Sequence, residues 1–104
     1  MNKEALIICV TLINKIERDI FLYEKGIVSD LFKETLFKET EDISFLIEEI
    51  KKYILPKLYY IKETIEKGKK INKSKSDYGD YIVKNWQHES TLGLELMKFY
   101  KLLF

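Results

Sequence analysis

The sequence predicts an all-α fold, a small antiparallel three- to four-helix bundle with a Pro-kinked third helix, in a single domain spanning 1–104. Three observations carry this. The 104 residues contain one proline and four glycines, too few breakers for the turns of a many-stranded β protein. Apolar residues recur at alternating steps of three and four along the first segment and keep helical spacing over 43–65, the period of a helix with one buried face. A chain of this length, 46% hydrophobic, buries roughly 65% of its unfolded surface and supports one core without disulfide staples.

The first helix is expected over roughly 3–25. Leu6, Cys9, Ile13, Ile16, Ile20, Tyr23 and Ile27 form one stripe, and Gly26 is the natural stop. A second apolar set, Ile7, Val10, Leu12, Phe21 and Leu22, leaves another face in want of a partner. Helix one is therefore either central to the bundle or also the seam of a homo-oligomer.

Ser29 and Asp30 offer a cap and an early negative charge for a second helix over 30–39, with Leu31, Phe32, Leu36 and Phe37 as apolar pairs. The run Glu39-Thr40-Glu41-Asp42 reads either as a break or as an exposed turn, Thr40 resembling a new cap. A third helix over 41–67 carries Ile43, Ile47, Ile50, Ile54, Leu58, Ile61 and Ile65 past Pro56 to Gly68. Proline lacks a backbone donor and crowds the preceding turn, so a kink is predicted near Tyr53 to Leu55. The Lys-rich stretch 68–76 reads as a flexible loop, and a last helix over 77–103, capped by Ser76 or Asp77, presents Tyr78, Ile82, Trp86, Leu92, Leu96, Phe99, Tyr100 and Leu103.

Charge is nearly balanced overall, 18 basic against 17 acidic side chains, but not along the chain. Residues 30–50 hold two lysines against seven acids, a balance of −5; residues 51–75 hold nine lysines against two acids, a balance of +7. Packed as neighbours, the segments compensate each other on a solvated surface. Alternatively Lys67, Lys69, Lys70, Lys73 and Lys75 form a phosphate-binding loop. Arg18 is the only arginine, which argues against sequence-specific reading of nucleic acid. Gly68-Lys69-Lys70 lacks the upstream glycine, the following hydroxyl and the preceding strand of a phosphate-binding P-loop.

Catalytic groups are sparse. Cys9, the lone cysteine, forms no internal disulfide, suits a reducing compartment, and reads as a small core residue. His88 precedes Glu89, but position 92 is leucine where a zinc-protease helix needs a second histidine. A helical ribonuclease would place arginine where Val83, Ile82 or Tyr81 stands, although a ribonuclease-like enzyme centred on His88 remains a reading to test. Asp80, Lys84 and His88 at steps of four read as a solvated stripe. Glu41-Asp42 and Glu48-Glu49 are adjacent pairs, which diverge by about 100° on a helix and form no shared-proton dyad. No catalytic, cofactor or metal site is expected.

The positive feature is aromatic. Tyr59, Tyr60, Tyr78, Tyr81 and Trp86 concentrate in the second half, and tyrosine and tryptophan combine contact area with a polar tip. Together with His88 and the five loop lysines they make a candidate interaction surface. Ala5 to Ile13 lacks the flanks of a signal peptide, and no apolar run is long enough to span a membrane. The expectation is a cytoplasmic protein-binding module of the inhibitor, immunity or adaptor type, of the sort phages and mobile elements carry in prokaryotes. Its partner is another protein, with nucleic acid bound through the lysine loop as the alternative.

Overall fold

The apolar stripe of the first segment winds into α1 (Asn2–Glu24) in a computed structural model that describes residues 2–35 and 42–104. Cys9, Ile13, Ile16 and Ile20 are buried on one side of it, against later helices. Gly26, at φ 88°, ends it: its N–H reaches Tyr23 O at 2.9 Å and the Ile27 N–H reaches Leu22 O at 2.9 Å. This paired closure needs a left-handed residue, which only glycine adopts without steric cost.

Helix α2 (Asp30–Lys33) is a single turn, opened by the Ser29 hydroxyl accepting from the Phe32 N–H and followed by a turn at Glu34 and Thr35. The rest of the predicted 30–39 helix, with the Thr40 cap, lies outside the described residues. Helix α3 (Ile43–Glu49) is capped by Asp42, whose carboxylate takes the Ser44 N–H at 2.9 Å. It runs into a π-helical turn (Ile50–Ile54) and then α4 (Leu55–Glu66). Pro56 sits in the first turn of α4 and has no N–H to return to Lys52 O, while the Leu55 N–H reaches five residues back to Ile50 O.

The wider turn also keeps the core stripe in phase. Ile50, Ile54 and Leu58 are spaced four and four, which in a pure α-helix drifts by about 80°. A turn of more than 3.6 residues absorbs part of that drift, and all three side chains are buried. Gly68, at φ 67°, closes α4 as Gly26 closes α1, with Lys69 N–H on Thr64 O and Gly68 N–H on Ile65 O, both at 3.0 Å.

The predicted loop 68–76 is not wholly irregular: Lys73–Ser76 form a helical turn, α5, capped by Asn72 and anchored on α4 by the Asn72 N–H donating to Tyr60 Oη at 3.1 Å. The Lys57 ammonium also donates to Asp77 O. The predicted single helix 77–103 is two helices, α6 (Gly79–Asn85) and α7 (Thr91–Leu103). Trp86 adopts extended backbone, and Ser90 starts α7 by accepting the Gly93 N–H at 3.1 Å.

The break is held from 55 residues away in sequence. Thr35 Oγ1 donates to Leu31 O at 2.7 Å, so in its 2.8 Å contact with Ser90 Oγ the serine must donate. The Gln87 N–H reaches Thr35 O at 3.2 Å. Thr35 and Ser90 are both fully buried, and together these bonds satisfy them. Removing the cap and one buried hydrogen bond with Ser90→Ala should cost about 2 kcal/mol in urea unfolding. Thr35→Val added to it should cost less than the sum of the two singles, because the same bond is lost in each.

Helix α1 packs on α4 and α7, and α7 also packs on α2 and α6. Among the described residues there is no strand, and no helix is long and apolar enough to cross a membrane.

Candidate functional site

The apolar residues of α1 that lie off its core stripe meet a second helix along only part of their surface. α7 runs opposite to α1, with Lys15 bonded to both Glu95 carboxylate oxygens at 3.0 and 3.1 Å at one end, and Glu4, Lys101 and Leu102 at the other. Between the two helices lies an open groove of about 650 Å³. Phe99, 1% exposed, forms its floor with Leu12, while Ile7 and Leu102, 60% and 42% exposed, stand on its walls. Exposed apolar side chains are ordinary singly; two facing each other across one groove form a patch.

The rim has a sign. Lys15 is neutralised by Glu95, but Lys98 and Lys101 form no ion pair among the described residues, leaving the rim positive despite Glu4.

The residues singled out from the sequence do not form one surface. Tyr78 is 1% exposed, its hydroxyl donating to Leu96 O at 2.6 Å, and Trp86 is 2% exposed. Both belong to the core, because their large apolar rings gain more from burial between α6 and α7 than from display. Tyr59 is exposed and donates to Glu17 Oε2 at 2.8 Å, joining α4 to α1, and Tyr60 is half-buried over α5. Tyr81 is half-buried, edge-on to Trp86 with ring centres 6.2 Å apart. His88 is exposed in the turn between α6 and α7, so the stripe Asp80, Lys84, His88 does not exist: the helix ends at Asn85.

The five lysines are all exposed. Lys69, Lys70 and Lys73 share a shallow cleft of about 880 Å³ with Ile71 and Phe104, and the Lys73 ammonium lies 5.7 Å from the Phe104 ring centre. Lys67 and Lys75 do not line it.

Cys9 is buried and donates to Leu58 O at 3.2 Å; burial pushes its thiol from 9.0 up to about 11. A thiol held protonated is a poor nucleophile. Burial also raises the phenols of Tyr78 and Tyr81, the latter to about 12. These shifts fix a pH dependence. Below about pH 9 the groups are protonated in both folded and unfolded chains and stability is full. Between about pH 9 and 12 the unfolded chain releases protons that the folded chain keeps, so stability falls. Urea midpoints measured from pH 7 to 12 should be flat and then drop through that window.

Among the described residues no cluster of three or more histidine, cysteine or acidic side chains could hold a metal ion. No protein-family model, curated protein or solved structure matches this chain.

Ile7 belonged to the second apolar set of helix one, but Lys98, Lys101 and Leu102 were not among the residues the sequence put forward as a surface. The signal available was their position: Ile7 and Leu102 are apolar yet sit off the stripes that end in the core.

Proposed function

We propose that the chain is a protein-binding module whose α1–α7 groove receives an amphipathic helix of a partner protein. The observation that supports this is the groove itself, with exposed Ile7 and Leu102 facing each other above Phe99. A helix laid into such a groove buries residues spaced i, i+3 or i+4, and i+7. Lys98 and Lys101, in no ion pair among the described residues, favour a partner whose apolar stripe is flanked by acidic residues. An adaptor, inhibitor or immunity protein acts through contacts of this kind. The architecture belonging to this reading is an antiparallel bundle of three to four principal helices, its third bent at the π-helical turn before Pro56.

The reading predicts a clean separation of binding from stability. Ile7→Lys and Leu102→Glu change exposed positions, so thermal unfolding should move by no more than about 0.5 kcal/mol equivalent. Association with an acidic amphipathic helix, followed by calorimetry, should be lost in both. Retention of binding in the double variant would remove the groove from consideration.

The cleft shared by Lys69, Lys70 and Lys73 supports a second reading, contact with a polyanion. Binding to single-stranded RNA at low salt, steeply weakened by added salt, is what that reading requires. Absence of binding at low salt would end it.

A further inference from the structure

A second recess, of about 550 Å³, opens where α3 passes α6. Trp86 is almost wholly enclosed there, and its indole Nε1 donates to no acceptor among the described residues. A buried donor without a partner is uncommon and destabilising, and it marks a place where a further group belongs. The orientation of the indole follows from Gly93: a Cβ built there would stand 3.4 Å from Trp86 Cε3, so that edge is pressed against α7. The Nε1 edge, across the ring, lies near the Tyr81 hydroxyl, which is itself close to Glu49 in the lining of the recess.

The rest of the lining defines the complementary chemistry. Asp42 and Glu49 both contribute carboxylates, and neither forms an ion pair among the described residues. The Ser44 N–H holds the Asp42 carboxyl below its ordinary range, so it carries full charge at neutral pH. The Tyr81 hydroxyl is close enough to feel Glu49 and the indole N–H, but it is not placed to accept from Trp86. Burial keeps that phenol neutral. Phe45 stands at the mouth, 65% exposed, and the Tyr53 ring lies 5.2 Å from that of Tyr81.

Uncompensated carboxylates beside aromatic faces select a cation. An orphaned indole N–H requires an acceptor. A planar guanidinium pairs with a carboxylate and stacks on an aromatic face better than an ammonium does. We propose that this recess binds an arginyl unit, its guanidinium held between Glu49 and the Tyr81 face and a carbonyl oxygen of the same unit accepting from Trp86 Nε1. This assignment stands independently of the α1–α7 groove.

Trp86 is the only tryptophan, so its fluorescence and its indole N–H resonance report on the recess without labelling. Titration with N-acetylarginine methylamide should give a saturable change in emission and a downfield shift of the indole N–H. N-acetylcitrulline methylamide, of the same shape without charge, should bind about tenfold or more weakly, and Glu49→Gln should lose about tenfold in affinity for the arginine probe. A short peptide with a central arginine separates the sources: tighter binding than the methylamide assigns the arginine to a polypeptide, equal or weaker binding to a free arginine derivative. No saturable response, or equal binding of the arginine and citrulline probes, overturns the proposal. So does unchanged affinity in a folded Glu49→Gln, or an indole N–H already slow to exchange in the free chain. The citrulline comparison needs no variant and decides the matter even where Glu49→Gln fails to fold.

Discussion

Trp86→Ala should lower the thermal midpoint by roughly 15–30 °C, the largest effect of any single substitution outside the helix interiors. The estimate starts from burial. An aromatic side chain truncated to alanine in a packed core costs about 3–5 kcal/mol, of which part is the cavity that neighbours do not fill. In a domain of this size each kcal/mol moves the midpoint by about 4–8 °C. Trp86 is 2% exposed, contacts the Tyr81 ring edge-on, and lies against Gly93 at the start of α7. It also holds the extended residue between α6 and α7, so its loss frees a junction and not only a void. Trp86→Phe should cost less than half as much, since it keeps most of the ring and removes an N–H that has no acceptor among the described residues. Calorimetric scans of both variants check this; a midpoint within about 5 °C of the parent for Trp86→Ala would mean that the ring is not packed as described.

Phe99→Ala should cost about 3–4 kcal/mol in urea unfolding. Phe99 is 1% exposed, part of the common core, and the floor on which α1 and α7 meet. The substitution should also deepen the groove, so that partner affinity falls even under conditions where the variant is folded. Ile7→Lys, two turns away from the Lys15–Glu95 contact on the same helix pair, should leave stability almost unchanged while removing binding. A Phe99→Ala variant as stable as the parent would show that α7 does not depend on α1.

The course of α1 and of the α3–α4 segment was legible because their apolar stripes and terminal glycines are local signals. Ile13, Ile16, Ile47, Leu58 and Ile61 follow the period and are buried, and Gly26 and Gly68 stop their helices by a backbone conformation that their own residue type permits. The division of the last helix was not legible. Ile82, Trp86, Leu92 and Leu96 continue an apolar pattern through residues 86–90, and what breaks the helix is Ser90 acting as a cap while bonded to Thr35. A contact between residues so far apart leaves no trace in a local window. The burial of Tyr78 and Trp86 was not legible for a related reason. Aromatic content indicates large contact area, but it does not say whether the contact is with the core or with a partner: Tyr78 and Trp86 took the first course and Tyr59 stayed exposed. A π-helical turn precedes Pro56, where a missing donor at one position leaves the preceding carbonyls to reach different partners.

The most direct test of the functional account is photo-crosslinking in the native cell, with p-benzoylphenylalanine in place of Leu102 and, as a control, of exposed Lys84 on α6. The account predicts an adduct from position 102 and none from position 84. Mass spectrometry of that adduct should return a segment of another protein with apolar residues at i, i+3 or i+4, and i+7 and acidic residues beside them. Adducts from position 102 no stronger than those from position 84, or adducts only to a second copy of this chain, would contradict it.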